Sequence, residues 1–146
     1  MLGLPDLPGQ EDTAQRKRPR RPWREKFRDA LRGWKFGIRG HSSFSVHFFC
    51  TALVLAAAGA LQCSLEQWAL LLVCIGVVLT AELFNSAIET LHRGLDDLTR
   101  ERTWQALDIA AGAVLMASAT AALVGLLIFG AQLMRLLIRL GVPLID

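Results

Sequence analysis

Three apolar stretches limit what this chain can become. Phe44–Cys63 reads FSVHFFCTALVLAAAGALQC, Gln67–Ile88 reads QWALLLVCIGVVLTAELFNSAI, and Ile109–Phe129 reads IAAGAVLMASATAALVGLLIF. Each is about the 20 residues a helix needs to cross a bilayer. A helix also satisfies its own backbone polar groups, which lipid cannot do for it. The sequence therefore predicts an all-α integral membrane protein, a three-helix protomer. The first run starts too late and is too long for a signal-peptide core.

Charge is sorted around these spans. The formal net charge of +3 hides a cancellation. Residues 1–15 carry three acids and no base, whereas residues 16–39 carry eleven bases against Glu25 and Asp29. The remaining residues carry five bases and eight acids. A basic run can bind nucleic acid, but one lying beside a membrane span reads as a cytoplasmic surface anchor. Pro5, Pro8, Pro19 and Pro22 mark residues 1–22 as a disordered, basic, proline-rich tail. Residues 23–40 form an amphipathic interfacial helix: Trp23, Phe27, Ala30, Leu31, Trp34 and Ile38 recur at helical spacing opposite a basic face. Gly37, Gly40 and the polar His41-Ser42-Ser43 are expected to break that helix. Residues 41–146 then hold the three spans.

Topology follows from the loops. The short link at 64–67 has one acid and no base, while Glu89–Asp108 carries Arg93, Arg100 and Arg102. The N-terminus and the second link are thus expected in the cytoplasm and the C-terminus outside, making a multi-pass protein of the plasma or inner membrane. Arg135 and Arg139 fall on the predicted outer side, four apart on one helical face, where they can snorkel to the interface. The third span is dense in alanine and glycine, which suits close helix contact in lipid. Three spans enclose little interior, so self-association is expected. Cys50, Cys63 and Cys74 show no CxxC or paired-histidine spacing and read as small buried thiols.

The informative residues are polar ones inside the second span. Glu82 lies within it, and a membrane carboxylate costs at least a few kcal/mol, so function is the default reading. At about 100° per residue, Asn85, Ser86 and Glu89 all fall within about 60° of Glu82 on one stripe. His92 extends the stripe. Two carboxylates a heptad apart stand roughly 10 Å along the axis, too far to share a proton but suited to two separate tasks. His47 is about one turn into the first span, and Asp108 opens the third, where it is also an N-cap candidate. The sequence thus predicts that His47, Glu82, Asn85, Glu89 and Asp108 gather at the inner leaflet. Such a group suits a divalent cation held together with phosphate oxygens, as Mg²⁺ usually is. Glu89-x-x-His92 has di-iron spacing, but the second motif and the further glutamates that chemistry needs are missing. No P-loop or protein-kinase signature is present.

The octad Glu82-Leu83-Phe84-Asn85-Ser86-Ala87-Ile88-Glu89, followed by Leu107-Asp108-Ile109-Ala110-Ala111-Gly112-Ala113-Val114-Leu115, resembles the small prokaryotic integral-membrane diacylglycerol kinase family, which includes undecaprenol kinases. The resemblance covers about residues 26–130. It implies a homotrimeric lipid kinase transferring the ATP γ-phosphate to a lipid hydroxyl, with Mg²⁺. On this resemblance Glu82 is the base that activates the hydroxyl, Glu89 a Mg²⁺ ligand, and Asn85 and Asp108 nucleotide-site residues. The chain departs from the family pattern in places. The family's lysine is Leu107 here, its acid after the metal glutamate is Arg93, and two acids near the first span align with His41 and His47. His47 is thereby a candidate metal ligand, and Arg93 a candidate replacement for the lysine at the phosphates. His47 also leans the lipid toward undecaprenol. The alternative implied by the departures is a catalytically impaired member acting as a membrane-binding or assembly protein; nucleic-acid binding through the basic tail is the third reading and not the one adopted.

Overall fold

The structure is a computed structural model and describes residues 22–39 and 43–141. The readings made on the tail, on Gly40 and on His41 lie outside the described residues. Among the described residues four helices follow in order: α1 (Trp23–Arg39), α2 (Ser43–Ala60), α3 (Leu65–Arg93) and α4 (Asp97–Arg139). The last three are each long and apolar enough to cross a membrane, as the sequence predicts. The molecule is an all-α membrane protein.

Helix α1 is amphipathic, and its apolar stripe of Trp23, Phe27, Leu31 and Trp34 is turned outward. Gly37 does not break it. It is helical, and a Cβ there would stand 2.7 Å from Leu83 Cδ2, so the missing side chain lets α1 lie close against α3. Gly37 is thus a contact residue of α1 and not its end.

The first interhelical turn is built by caps. Gln62 adopts a left-handed φ of 51° after α2. Ser64 then caps α3: its backbone N–H donates to Gln67 Oε1 (2.9 Å), and its Oγ accepts from the Gln67 N–H (3.4 Å). Gln132 on α4 donates its amide to the same Gln67 oxygen, tying the far end of α4 to this turn. The buried core lies at this end, where Ala58, Leu71 and Ile128 meet beneath Val54, Trp68 and Val124.

The second link is much shorter than the expected Glu89–Asp108. Only Gly94–Asp96 separates α3 from α4. Asp96, not Asp108, is the N-cap: its carboxylate accepts from the Thr99 N–H (3.1 Å) and the Thr99 hydroxyl (2.7 Å). Those two bonds hold its carboxyl below the usual range. Arg100 staples the turn by donating to the Leu95 carbonyl (2.9 Å) and to Asp97 Oδ1 (3.2 Å). Helix α4 therefore starts twelve residues before the apolar run and continues ten beyond it. At 1.5 Å per residue its 43 residues extend about 65 Å, roughly twice the hydrocarbon core. Hydropathy leaves the polar DLTRERTWQ segment outside the span, yet a good cap and good helix formers keep it helical.

Helices α3 and α4 pack along much of their length, whereas α2 lies mainly on α3. Most large apolar side chains face outward, including Phe49, Val77, Phe84, Ile109 and Leu126. Much of the dense small-residue stripe of α4 is also uncovered: Ala110 and Gly125 are buried, but no atom stands within contact of a Cβ built at Gly112. Cys50 is exposed rather than buried, and Cys63 and Cys74 are half-buried, all three as free thiols.

Candidate functional site

The buried polar side chains among the described residues are Glu82, Asn85 and Ser86, with exposures of 2%, 8% and 2%. All three sit on α3 within one turn of each other. The predicted stripe thus faces the protein interior while Val77 and Phe84 face out.

Helix α2 supplies what faces Glu82. Phe44 is buried in its first turn, its ring 6.0 Å from that of Phe48. His47, on the same stretch, places Nε2 3.6 Å from Glu82 Oε2. That is ion-pair distance but too long for a hydrogen bond. Glu82 Oε1 is fully buried and has no hydrogen-bond partner among the described residues, and the same is true of Ser86 Oγ. An unpartnered buried acceptor costs about 1–3 kcal/mol, more when charged. Two such atoms stand one helical turn apart here, which makes this the candidate site. Ser86 reads from sequence as packing. Its position on the Glu82 stripe was the available signal for more.

One turn further along, Asn85 Nδ2 donates to Glu89 Oε1 (3.0 Å), and the Thr90 hydroxyl donates to the Ser86 carbonyl (2.8 Å). The Asn85–Glu89 bond orients an amide and a carboxylate together. Both offer hard oxygen donors of the kind that Mg²⁺ takes alongside substrate phosphates. No group of three or more His, Cys, Asp or Glu side chains able to hold a metal occurs among the described residues. A donor set of one or two protein oxygens completed by phosphates fits what is present.

His92 does not join the stripe as a ligand. Its Nδ1 meets Thr103 Oγ1 at 3.2 Å, and Thr103 donates its own hydroxyl to the Thr99 carbonyl (2.9 Å). His92 is therefore the donor, and the bond ties the end of α3 to the start of α4. Arg93 ends α3 about 20° from Glu82 around the axis, on the same side. Its carbonyl accepts from Arg100 (3.4 Å).

Asp108 is not brought to the cluster. It lies in the interior of α4, exposed, about 200° around the helix from Ala110, which packs toward α3. Between α3 and α4, beside Asn85, opens an apolar cleft of about 460 Å³. Its walls include Ala81, Phe84, Ile88, Ala106 and Ala110, and Asn85 is its polar group.

The chain is similar to known proteins. The family described as prokaryotic diacylglycerol kinase matches residues 28–129. The undecaprenol kinase of Bacillus subtilis (strain 168) is 31% identical over 103 residues, covering 70% of this chain and 84% of that protein. No solved structure matches the chain.

Proposed function

Since the chain belongs to the prokaryotic diacylglycerol kinase family, a family of membrane lipid kinases, we propose that it transfers the ATP γ-phosphate to the hydroxyl of a long-chain lipid alcohol. The acceptor is diacylglycerol or undecaprenol, and the similarity to an undecaprenol kinase favours the latter. The basic α1 side and the Arg93–Arg102 region support a reaction at the cytoplasmic face, with the N-terminus inside.

The observation that carries this reading is the buried, unpartnered Glu82 Oε1. A lipid hydroxyl entering beside Glu82 satisfies that acceptor and delivers its proton to it. The alcohol oxygen, losing its proton as the bond forms, attacks the γ-phosphorus, while the bond from that phosphorus to the β–γ bridging oxygen breaks and ADP leaves. Phosphoryl transfer demands alignment and charge neutralisation more than covalent help. A positioned base adds about 10²–10⁴-fold. His47, within ion-pair distance, is the neighbour that can stabilise the charge on Glu82 and pass its proton outward. We assign it to the proton rather than to the metal, because its Nε2 is already turned to the base.

Glu89, oriented by Asn85, would hold Mg²⁺, which when bound neutralises the β- and γ-phosphate oxygens. Arg93 takes the part left open by Leu107, supplying a guanidinium to the phosphates from the end of the same helix. Asp108 faces away from its own Glu82, so as a nucleotide-site residue it acts on a site in an adjacent copy of the chain. A homotrimer provides such a neighbour and covers the outward apolar surfaces.

The second reading is a member impaired in catalysis. Leu107 favours it, being apolar and half-buried where the family carries a cation. Reconstitution with Mg-ATP and each lipid separates the two. Phosphorylated lipid from the wild type, lost in Glu82→Gln, is the expected result. No turnover with either lipid favours the impaired reading, and undiminished turnover in Glu82→Gln removes Glu82 as the base.

A further inference from the structure

At the end of the bundle away from Glu82, the α2–α3 turn and the last turns of α4 enclose a second cleft of about 340 Å³. Its lining is mostly polar and includes Gln62, Ser64, Gln132, Arg135 and Arg139, with Leu136 as an apolar wall. Arg135 and Arg139 are one turn apart on one helical face. Neither has an acidic partner among the described residues. Glu66, the acid of the adjacent first turn of α3, is exposed and does not line the cleft.

The other groups at this cleft are also suited to an anion. Ser64 Oγ accepts from the Gln67 N–H, which leaves its hydroxyl proton to donate. Ser64 is the N-cap of α3, so the positive end of that helix opens here. Gln132, fixed on Gln67, holds α4 against the turn and keeps the two arginines beside Ser64. Snorkelling accounts for a cation near a helix end. It does not account for two guanidiniums, a hydroxyl donor and a helix N-terminus meeting on one cleft. The depth is also right. Leu65–Arg93 extends about 44 Å, close to the 40–45 Å of a bilayer with its headgroups, so both ends of α3 stand at phosphate level.

We propose that this cleft binds a phosphate group, with Arg135 and Arg139 as its cations, and that the phosphate belongs to an anionic phospholipid headgroup. Guanidinium pairs recognise phosphate oxygens in fork geometry, and a glycerol backbone fits against Leu136. The site lies at the opposite end from the proposed catalysis and does not depend on it.

Trp68 is one turn from Ser64 at the edge of the cleft, its backbone N–H bonded to the Ser64 carbonyl (2.9 Å), and serves as a nearby reporter. Trp23, Trp34 and Trp104 are 72%, 54% and 53% exposed, so replacing them by Phe leaves a folded full-length chain with one reporter. In vesicles of phosphatidylcholine and phosphatidylglycerol, brominated phosphatidylglycerol should quench Trp68 at least about twofold more than brominated phosphatidylcholine, given roughly 1 kcal/mol per interfacial cation. Arg135→Gln/Arg139→Gln should bring the two lipids to parity, while Arg28→Gln/Arg32→Gln on α1 should not. Parity in the parent, together with thermal stabilisation in detergent by millimolar inorganic phosphate that the double variant lacks, keeps the phosphate site and identifies free phosphate as its ligand. A preference that survives Arg135→Gln/Arg139→Gln, or parity without any phosphate effect, overturns the proposal.

Discussion

His47 and Glu82 come from different helices and meet at ion-pair distance, and among the described residues Glu82 Oε1 has no hydrogen-bond partner. If the imidazole steadies the charge on the base and carries its proton away, His47→Gln should lower kcat by about 10- to 100-fold with the KM for ATP little changed. Steady-state kinetics on reconstituted protein measures this; an equal rise in both KM values with kcat intact would instead mean that His47 serves binding. Arg93→Ala should do the opposite, raising the KM for ATP about tenfold, the worth of one charge-assisted hydrogen bond, with kcat retained. Full ATP affinity in that variant removes Arg93 from the phosphates. Glu82, Asn85, Ser86 and Glu89 were legible as one stripe because a helix imposes its own period on its residues. That His47 faces Glu82 was not legible, since it depends on the register between two helices, which no periodicity within either one records.

At the level of helices, the ends decide more than the middles. Gln62 holds a left-handed φ that costs an L-residue with a side chain about 1 kcal/mol or more, so Gln62→Gly should stabilise the α2–α3 turn by about that amount in thermal unfolding. Asp96→Ala should speed amide exchange at Thr99 and lower the melting temperature, because the first turn of α4 loses its acceptor. The same cap gives a pH dependence. Its folded value is lowered, so its stabilisation is fully present above the ordinary value of 3.8 and fades as pH falls through the lower folded one. The protection of the Thr99 amide, corrected for the intrinsic pH dependence of exchange, should fall only in that acid range. Three spans were visible from apolar length alone. The true start of α4 was hidden because hydropathy scores lipid affinity, while helix extent follows capping and side-chain ties such as Arg100 to Leu95 and His92 to Thr103.

For the whole molecule, the position of Asp108 is decisive. Glu82 is buried among the helices of its own protomer, while Asp108 is exposed on the far side of α4. One protomer therefore cannot bring both to one nucleotide without turning α4, which the cap at Asp96 and the Gln132–Gln67 bond hold at its two ends. If the site forms between copies, Glu82 from one chain works with Asp108 from the next. Glu82→Gln and Asp108→Asn should then each be inactive alone, yet recover activity when mixed in equal amounts before reconstitution. In a ring of such interfaces, about one site in four joins an intact Glu82 to an intact Asp108 by random assortment, so about a quarter of wild-type turnover should return. If each protomer carried a complete site, mixing would restore nothing. The outward Phe49, Val77 and Leu126 and the uncovered small residues of α4 supply surface for such contacts, because lipid gives apolar side chains no reason of its own to associate and close packing must. An inactive mixture whose cross-linking still shows assembled copies would place both carboxylates in one protomer and require α4 to rotate on assembly.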